Sequence, residues 1–128
     1  MEERKSPHIP AEAMSAYRRT ARERWLAEQR KIEQRRKRAW ELANKAARLL
    51  KEKYAVYRVV VFGSLLHEGR FTLWSDVDLA AWGLTDRNWL KAMSEVRYLS
   101  DEIEINLVDV TCCSLELLAV IEREGKEL

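Results

Sequence analysis

A chain of 128 residues is long enough for one ordinary domain and too short for two. Hydrophobic residues make up 47%, enough for a core, and charged residues 34%, so disorder is expected only in the first few residues. No apolar run approaches the ~18 residues of a membrane span, and the opening MEERKSPHIP lacks the apolar segment of a secretory signal.

The net charge of +2 hides an asymmetry. Residues 11–53 hold 14 Lys and Arg against 6 Glu, whereas residues 54–128 hold 7 Lys and Arg against 13 Asp and Glu. The sequence therefore divides into a flexible N-terminus (1–10), a long basic helical extension (11–53) and an acidic domain (54–128). Residues 11–53 contain no Gly and no Pro, and Pro10 suits a helix start. An apolar row runs through Met14, Tyr17, Ala21, Trp25, Ile32, Ala39, Ala43, Ala46 and Leu50. Glu28 and the pair Arg35-Arg36 interrupt it. A continuous helix of that length is a rod of about 65 Å, and a 75-residue domain has a radius of gyration of only about 11 Å. The first half of the rod must then fold back or pack on another chain, as a hetero-oligomer or a homodimer. The cluster Arg30–Arg38 could also contact RNA phosphates, although basic helices of this density more often face solvent or a partner.

After Tyr54 the pattern shortens. Val56–Phe62 reads as a strand, and a short helix begins near Ser64. Val77–Trp82 reads as a second strand. A helix capped by Thr85 or Asp86 runs to about Tyr98, followed by a third strand over Ile103–Val110. Ser114 caps a last helix that Gly125 ends. This order predicts an α+β fold, a small mixed sheet flanked by helices. Cys112 and Cys113 are adjacent, which suits neither a disulfide framework nor a zinc site, so a reducing cytoplasm is expected.

The chemistry-bearing stretch is VVVFGSLLHEGRFTLWSDVDLAAWGL, residues 59–84. An apolar strand enters Gly63-Ser64, eleven residues follow, and Asp76-Val77-Asp78 opens the next strand. Alternation places Asp76 and Asp78 on one face, where two carboxylates can share a hard divalent cation. Gly63 lets a backbone or a phosphate approach, and the peptide N–H groups after it can face an anion. A phosphate cradle beside metal-binding carboxylates is equipment for phosphoryl or nucleotidyl transfer.

Phe62, Gly63, Ser64, Asp76, Asp78 and Leu79 together resemble the signature of the polymerase-beta-like nucleotidyltransferases, in particular the minimal nucleotidyltransferase proteins. The spacer is one residue longer than the commonest form. The resemblance implies the fold of that family, with ATP as substrate and two Mg²⁺ ions on Asp76 and Asp78. Gly63 and Ser64 would position the phosphates, and His67 and Arg70 in the spacer could touch them. It also implies a HEPN-domain toxin as partner, to which an antitoxin of this type adds AMP on a tyrosine hydroxyl. Trp74 and Trp82 could stack on a base, but packing at the sheet edge is the simpler expectation.

The family places a third acidic residue on a later strand, where this chain has Asn106. An amide offers an oxygen to a cation but brings no charge and takes no proton. Glu104 shares its face at roughly 6.5–7 Å along the strand and could substitute. Three alternatives stay open: an active enzyme with Glu104 standing in, a slow enzyme, or a binding protein that neutralises its partner sterically. A transferase acting on small antibiotics is a lesser alternative, because such enzymes carry an added helical domain.

Overall fold

The computed structural model describes residues 9–128, so most of the expected flexible N-terminus lies outside the described residues. Helix α1 (Ala11–Lys53) is unbroken over its 43 residues, as the absence of Gly and Pro predicts. It ends where the Tyr54 N–H reaches the Leu50 carbonyl. Strand β1 (Arg58–Phe62) passes into a 3₁₀ turn (Gly63–Leu66), and then come β2 (Val77–Trp82), α2 (Trp89–Arg97), β3 (Ile105–Asp109), α3 (Leu115–Glu124) and β4 (Lys126–Glu127). The strands form one mixed sheet in the order β3-β2-β1-β4. β1 is antiparallel to β2 and β4, and β2 is parallel to β3. The α+β architecture with a long first helix is the one read from the sequence.

Period-two alternation sorts the strand residues between two cores. Val59, Val61, Val77, Leu79, Ile105 and Leu107 face α1 and α2 in the main core. Val60, Phe62 and Ala80 face α3 through Ile121 in a smaller one. The C-terminal half of α1 belongs to the main core: Ala39, Ala43, Ala46 and Leu50 are fully buried there. Three alanines on that stripe let the helix backbone lie close to the sheet. The composition boundary at residue 53 is thus a change in charge and periodicity; α1 already touches the core at Ile32, and its stripe is fully buried from Ala39.

The N-terminal half of α1 does not fold back. Tyr17 and Trp25 are 71% and 59% exposed, and the helix simply continues past the domain edge. A helix hydrogen-bonds internally, so it can project without orphaned backbone groups, and no Gly or Pro offers a place to bend.

Several elements differ from the sequence expectation. Strand β1 starts at Arg58, two residues after Val56. Helix α2 starts at Trp89, because Thr85–Asn88 forms a turn in which Asn88 Oδ1 accepts the Thr85 N–H at 2.8 Å. β3 pairs only over Ile105–Asp109, although Ile103 is still buried in the core. The two-residue β4 was not foreseen. It follows α3, whose cap Ser114 accepts the Leu117 N–H as expected.

Gly125 makes that last strand possible. Its backbone torsions are ordinary, but a Cβ there would overlap both the Val60 side chain and the Ile121 carbonyl. Gly125→Ala is therefore expected to lower stability by roughly 1–3 kcal/mol through overpacking, read as a fall in the urea midpoint with an unchanged slope.

Candidate active site

The strand directions bring one end of β1 and the starts of β2 and β3 to a single edge of the sheet. Across that edge Phe62 pairs with Asp78, and Asp78 pairs with Asn106. Gly63 follows Phe62 with φ +82°, a conformation that L side chains rarely adopt. A Cβ at Gly63 would lie 2.5 Å from Asp78 Oδ2, so the glycine leaves room for the carboxylate as well as for the turn. The 3₁₀ turn places Ser64 half-buried beside it, its carbonyl taken by the His67 N–H at 3.1 Å.

The spacer is tied down at several points. The His67 carbonyl accepts from Arg70 and Phe71, and Phe71 is buried in the main core. Ser75 Oγ accepts the Thr72 N–H at 2.8 Å. His67 is thus half-buried at the base of the loop, while Arg70 is exposed on it.

Asp76, Asp78 and Asn106 form the centre. Asn106 Nδ2 donates to Asp78 Oδ1 at 3.2 Å and to Asp76 Oδ2 at 3.4 Å. One neutral amide bridges both carboxylates. Burial pushes the Asp78 carboxyl above its ordinary range; the Asn106 hydrogen bond opposes this, and the Asp76 charge adds to it. Two carboxylates held together at a half-buried edge are poised for a cation, whose charge would relieve their repulsion. The donor set (two carboxylates and an amide that can turn its oxygen inward) is all hard oxygen and fits Mg²⁺. Among the described residues no three His, Cys, Asp or Glu side chains come together as a metal cluster.

The shift carries a sign. A raised Asp78 pKa means the metal-free folded protein binds that proton more tightly than the unfolded chain. The associated stability is present below the ordinary aspartate pKa and is lost as pH rises through the folded-state value. The stability of the metal-free wild type relative to Asp78→Asn is expected to fall across that acidic window in urea titrations. Addition of Mg²⁺ should reduce the fall.

Glu104 lies just before β3, and its carboxylate is paired with Arg97 of α2 at 2.8 Å. Its backbone carbonyl accepts the Val77 N–H. For Glu104 to stand in for a third carboxylate, the Arg97 pair must break. Asp109 is at the far end of β3, occupied by the Thr111 hydroxyl and N–H.

The two tryptophans separate. Trp82 is half-buried under the Arg58 guanidinium, 4.1 Å from the ring centroid. Trp74 does not pack on the sheet edge; it is 87% exposed, because the turn closed by Ser75 carries it outward.

Sequence reasoning missed Arg35 and Arg36 as parts of the site's frame. Arg36 gives Nε and Nη2 to the Leu65 carbonyl, at 3.3 and 3.1 Å. Arg35 gives Nη2 to the Ser75 carbonyl at 3.0 Å and Nη1 to the Glu102 carbonyl at 3.2 Å. These carbonyls lie next to Ser64, next to Asp76 and two residues before Glu104. Two consecutive arginines therefore anchor all three segments that carry the site. Arg38 pairs with Glu102 as well. Much of the basic cluster thus faces the protein's own loops, which leaves less of it for nucleic acid. The signal available in the sequence was the break in the apolar row at 35–36.

No family model and no curated protein matches the sequence. Solved structures do. A crystal structure of a tyrosine-to-alanine mutant of the toxin-antitoxin MntA-HpeT aligns with a TM-score of 0.55 at 25% identity, over 66% of this chain and 69% of that one. The toxin-antitoxin MntA-HepT itself aligns with a TM-score of 0.52 at 21% identity, over 69% of each chain. A toxin-antitoxin with AMP-PNP aligns with a TM-score of 0.55 at 22% identity, over 66% of this chain and 70% of that one. The fold is one found in toxin-antitoxin complexes.

Proposed function

We propose that the chain is a minimal nucleotidyltransferase acting as the antitoxin of a toxin–antitoxin pair, with ATP as its substrate and a hydroxyl of the partner toxin as its acceptor. The observation that carries this is the joint placement of the Gly63-Ser64 turn against Asp78, with Asp76 and Asn106 bridged beside it. The likeness to MntA-HepT chains supports it, as does the likeness to a toxin-antitoxin crystallised with AMP-PNP.

In this reading the peptide N–H groups and hydroxyl at Gly63-Ser64 hold the terminal phosphates, with His67 and Arg70 within the same loop. Asp76 and Asp78 would hold Mg²⁺, which supplies charge neutralisation for the phosphates. The acceptor oxygen forms a bond to the α-phosphorus, the bond to the bridging oxygen breaks, and pyrophosphate leaves. Asn106 takes no proton, so the hydroxyl proton passes to solvent water. The Arg35 and Arg36 anchors keep the two sides of the site in register, which matters because positioning supplies much of the catalysis in this chemistry. A HEPN-type toxin modified on a tyrosine is the specific form of the proposal. The exposed half of α1 is the surface expected to bind it.

The test is intact-mass spectrometry of the presumed toxin after incubation with the chain, ATP and Mg²⁺. A gain of one or more AMP units, abolished in Asp76→Ala/Asp78→Ala, is the expected result. The Asn106 amide between the carboxylates favours a second reading, a steric antitoxin with a retired site. It predicts a stable complex with no mass gain. Absence of any complex at micromolar concentrations would sink both.

A further inference from the structure

A groove of about 920 Å³ opens beside Asp76, between the spacer loop, α2 and the segment before β3. Trp74, Leu90 and Tyr98 stand on it at 87%, 66% and 85% exposure. Its charged lining is mainly acidic. Glu104 is paired with Arg97 and Glu102 with Arg38, while Asp101 is exposed and makes no ion pair among the described residues. None of Gly63, Ser64, His67 or Arg70 lines it.

Resting on the transferase reading, we infer that this groove is the acceptor channel and that it takes a basic polypeptide segment carrying the reacting hydroxyl. The direction follows from the sheet order. With the leaving pyrophosphate at Gly63-Ser64, on the β1 side, an in-line attack must come from the opposite, β3 side of the aspartates. The groove opens at Asp76 on that side. Asp101, the lining carboxylate with neither an ion pair among the described residues nor a place at the metal, attracts Lys or Arg flanking the hydroxyl. Its openness argues for a chain segment: small-molecule sites bury most of their ligand, and two rings this exposed would leave one largely in water. Exposed Trp and Tyr side chains are the residue types that anchor protein partners.

The groove is also continuous with the projecting helix. Arg35 lines it, Ile32 one turn earlier still packs on the main core, and the residues of α1 before Ile32 extend about 30 Å farther. At 100° per residue, Ala21, Trp25 and Ile32 share the stripe that Ala39 and Ala46 turn toward the sheet. The arm therefore presents its apolar face over the space in front of the groove. A partner lying along the arm would have its surface beside Asp76.

The test uses fluorescein-labelled peptides with one tyrosine flanked by Lys, Ala or Glu. Binding to the full chain is read by anisotropy with Mg²⁺-ATP present, and modification by mass. The Lys-flanked peptide is expected to bind at least tenfold more tightly than the Glu-flanked one. Leu90→Ala/Tyr98→Ala should weaken that binding at least fivefold while leaving affinity for a fluorescent ATP analogue unchanged. Asp101→Lys should narrow the preference. Both variants alter exposed side chains, so folding is preserved. No binding by any of the peptides, or binding indifferent to both variants, would overturn the assignment. So would an aminoglycoside that gains AMP in preference to the peptides. Groove-dependent binding without AMP transfer would keep the groove and count instead against the transferase reading.

Discussion

Asn106→Asp is expected to speed AMP transfer by roughly 10²–10⁴-fold, the range that a missing general base or charged ligand accounts for. The amide nitrogen lies 3.2 Å from Asp78 and 3.4 Å from Asp76, so a carboxylate in its place would be the third anion in one small volume. Without a cation that arrangement is repulsive, and the metal-free variant should unfold at lower urea than the wild type. Mg²⁺ should reverse the order, because a ligand that binds only the folded state stabilises it by an amount that grows with the logarithm of its concentration over Kd. Stopped transfer assays and urea titrations, each with Mg²⁺ and with EDTA, give the four values needed. A variant that is destabilised without metal and no faster with it would mean that the site has lost more than one carboxylate. A complex that neutralises its toxin with either residue would favour the steric antitoxin.

Gly63→Ala is expected to cost about 2–4 kcal/mol and to lower transfer by about 10²-fold or more, two losses with one origin. At φ +82° an alanine pays for a left-handed backbone. Its methyl would then meet Oδ2 of Asp78, a half-buried side chain whose Oδ1 accepts from Asn106. Either the turn unwinds and Ser64 moves, or Asp78 rotates out of the pair. The nucleotide assay separates these: lost ATP affinity reports the turn, and lost Mg²⁺ dependence reports the carboxylate. A variant with wild-type stability and activity would contradict the close approach of Gly63 and Asp78.

The parts of this molecule that local periodicity dictates were legible in the sequence. Helix α1 begins after Pro10 and ends at Lys53, where the helical apolar spacing gives way to the β-branched run that opens β1. The Asp76-x-Asp78 alternation and Gly63 were legible because strand geometry fixes which faces they share. What could not be read depends on contacts between distant segments. Arg35 and Arg36 looked like a solvated break in an apolar stripe; their partners lie 29 to 67 residues away and are backbone carbonyls, which carry no residue code. The Glu104–Arg97 pair was invisible for the same reason, because it depends on how α2 packs over β3. β4 has two exposed residues and no pattern to detect. Trp74 departs from the expected sheet-edge packing because its placement follows from a Thr72–Ser75 turn rather than from the strand it precedes.

The projecting half of α1 has a consequence for how order is distributed along the chain. Nucleating a helix is costly and extending one is cheap. Here the nucleus is held by the docked residues from Ala39 to Leu50, and the helix grows outward from them toward Ala11. Each turn farther from the domain relies on fewer tertiary contacts, so amide protection should decline stepwise from the Leu50 end to the Ala11 end, down to the values of a fraying terminus. Free, the helix is a gradient of order. With a partner along its apolar stripe the gradient would flatten, and hydrogen exchange at the distal turns would register the encounter before any chemistry occurs at the aspartates.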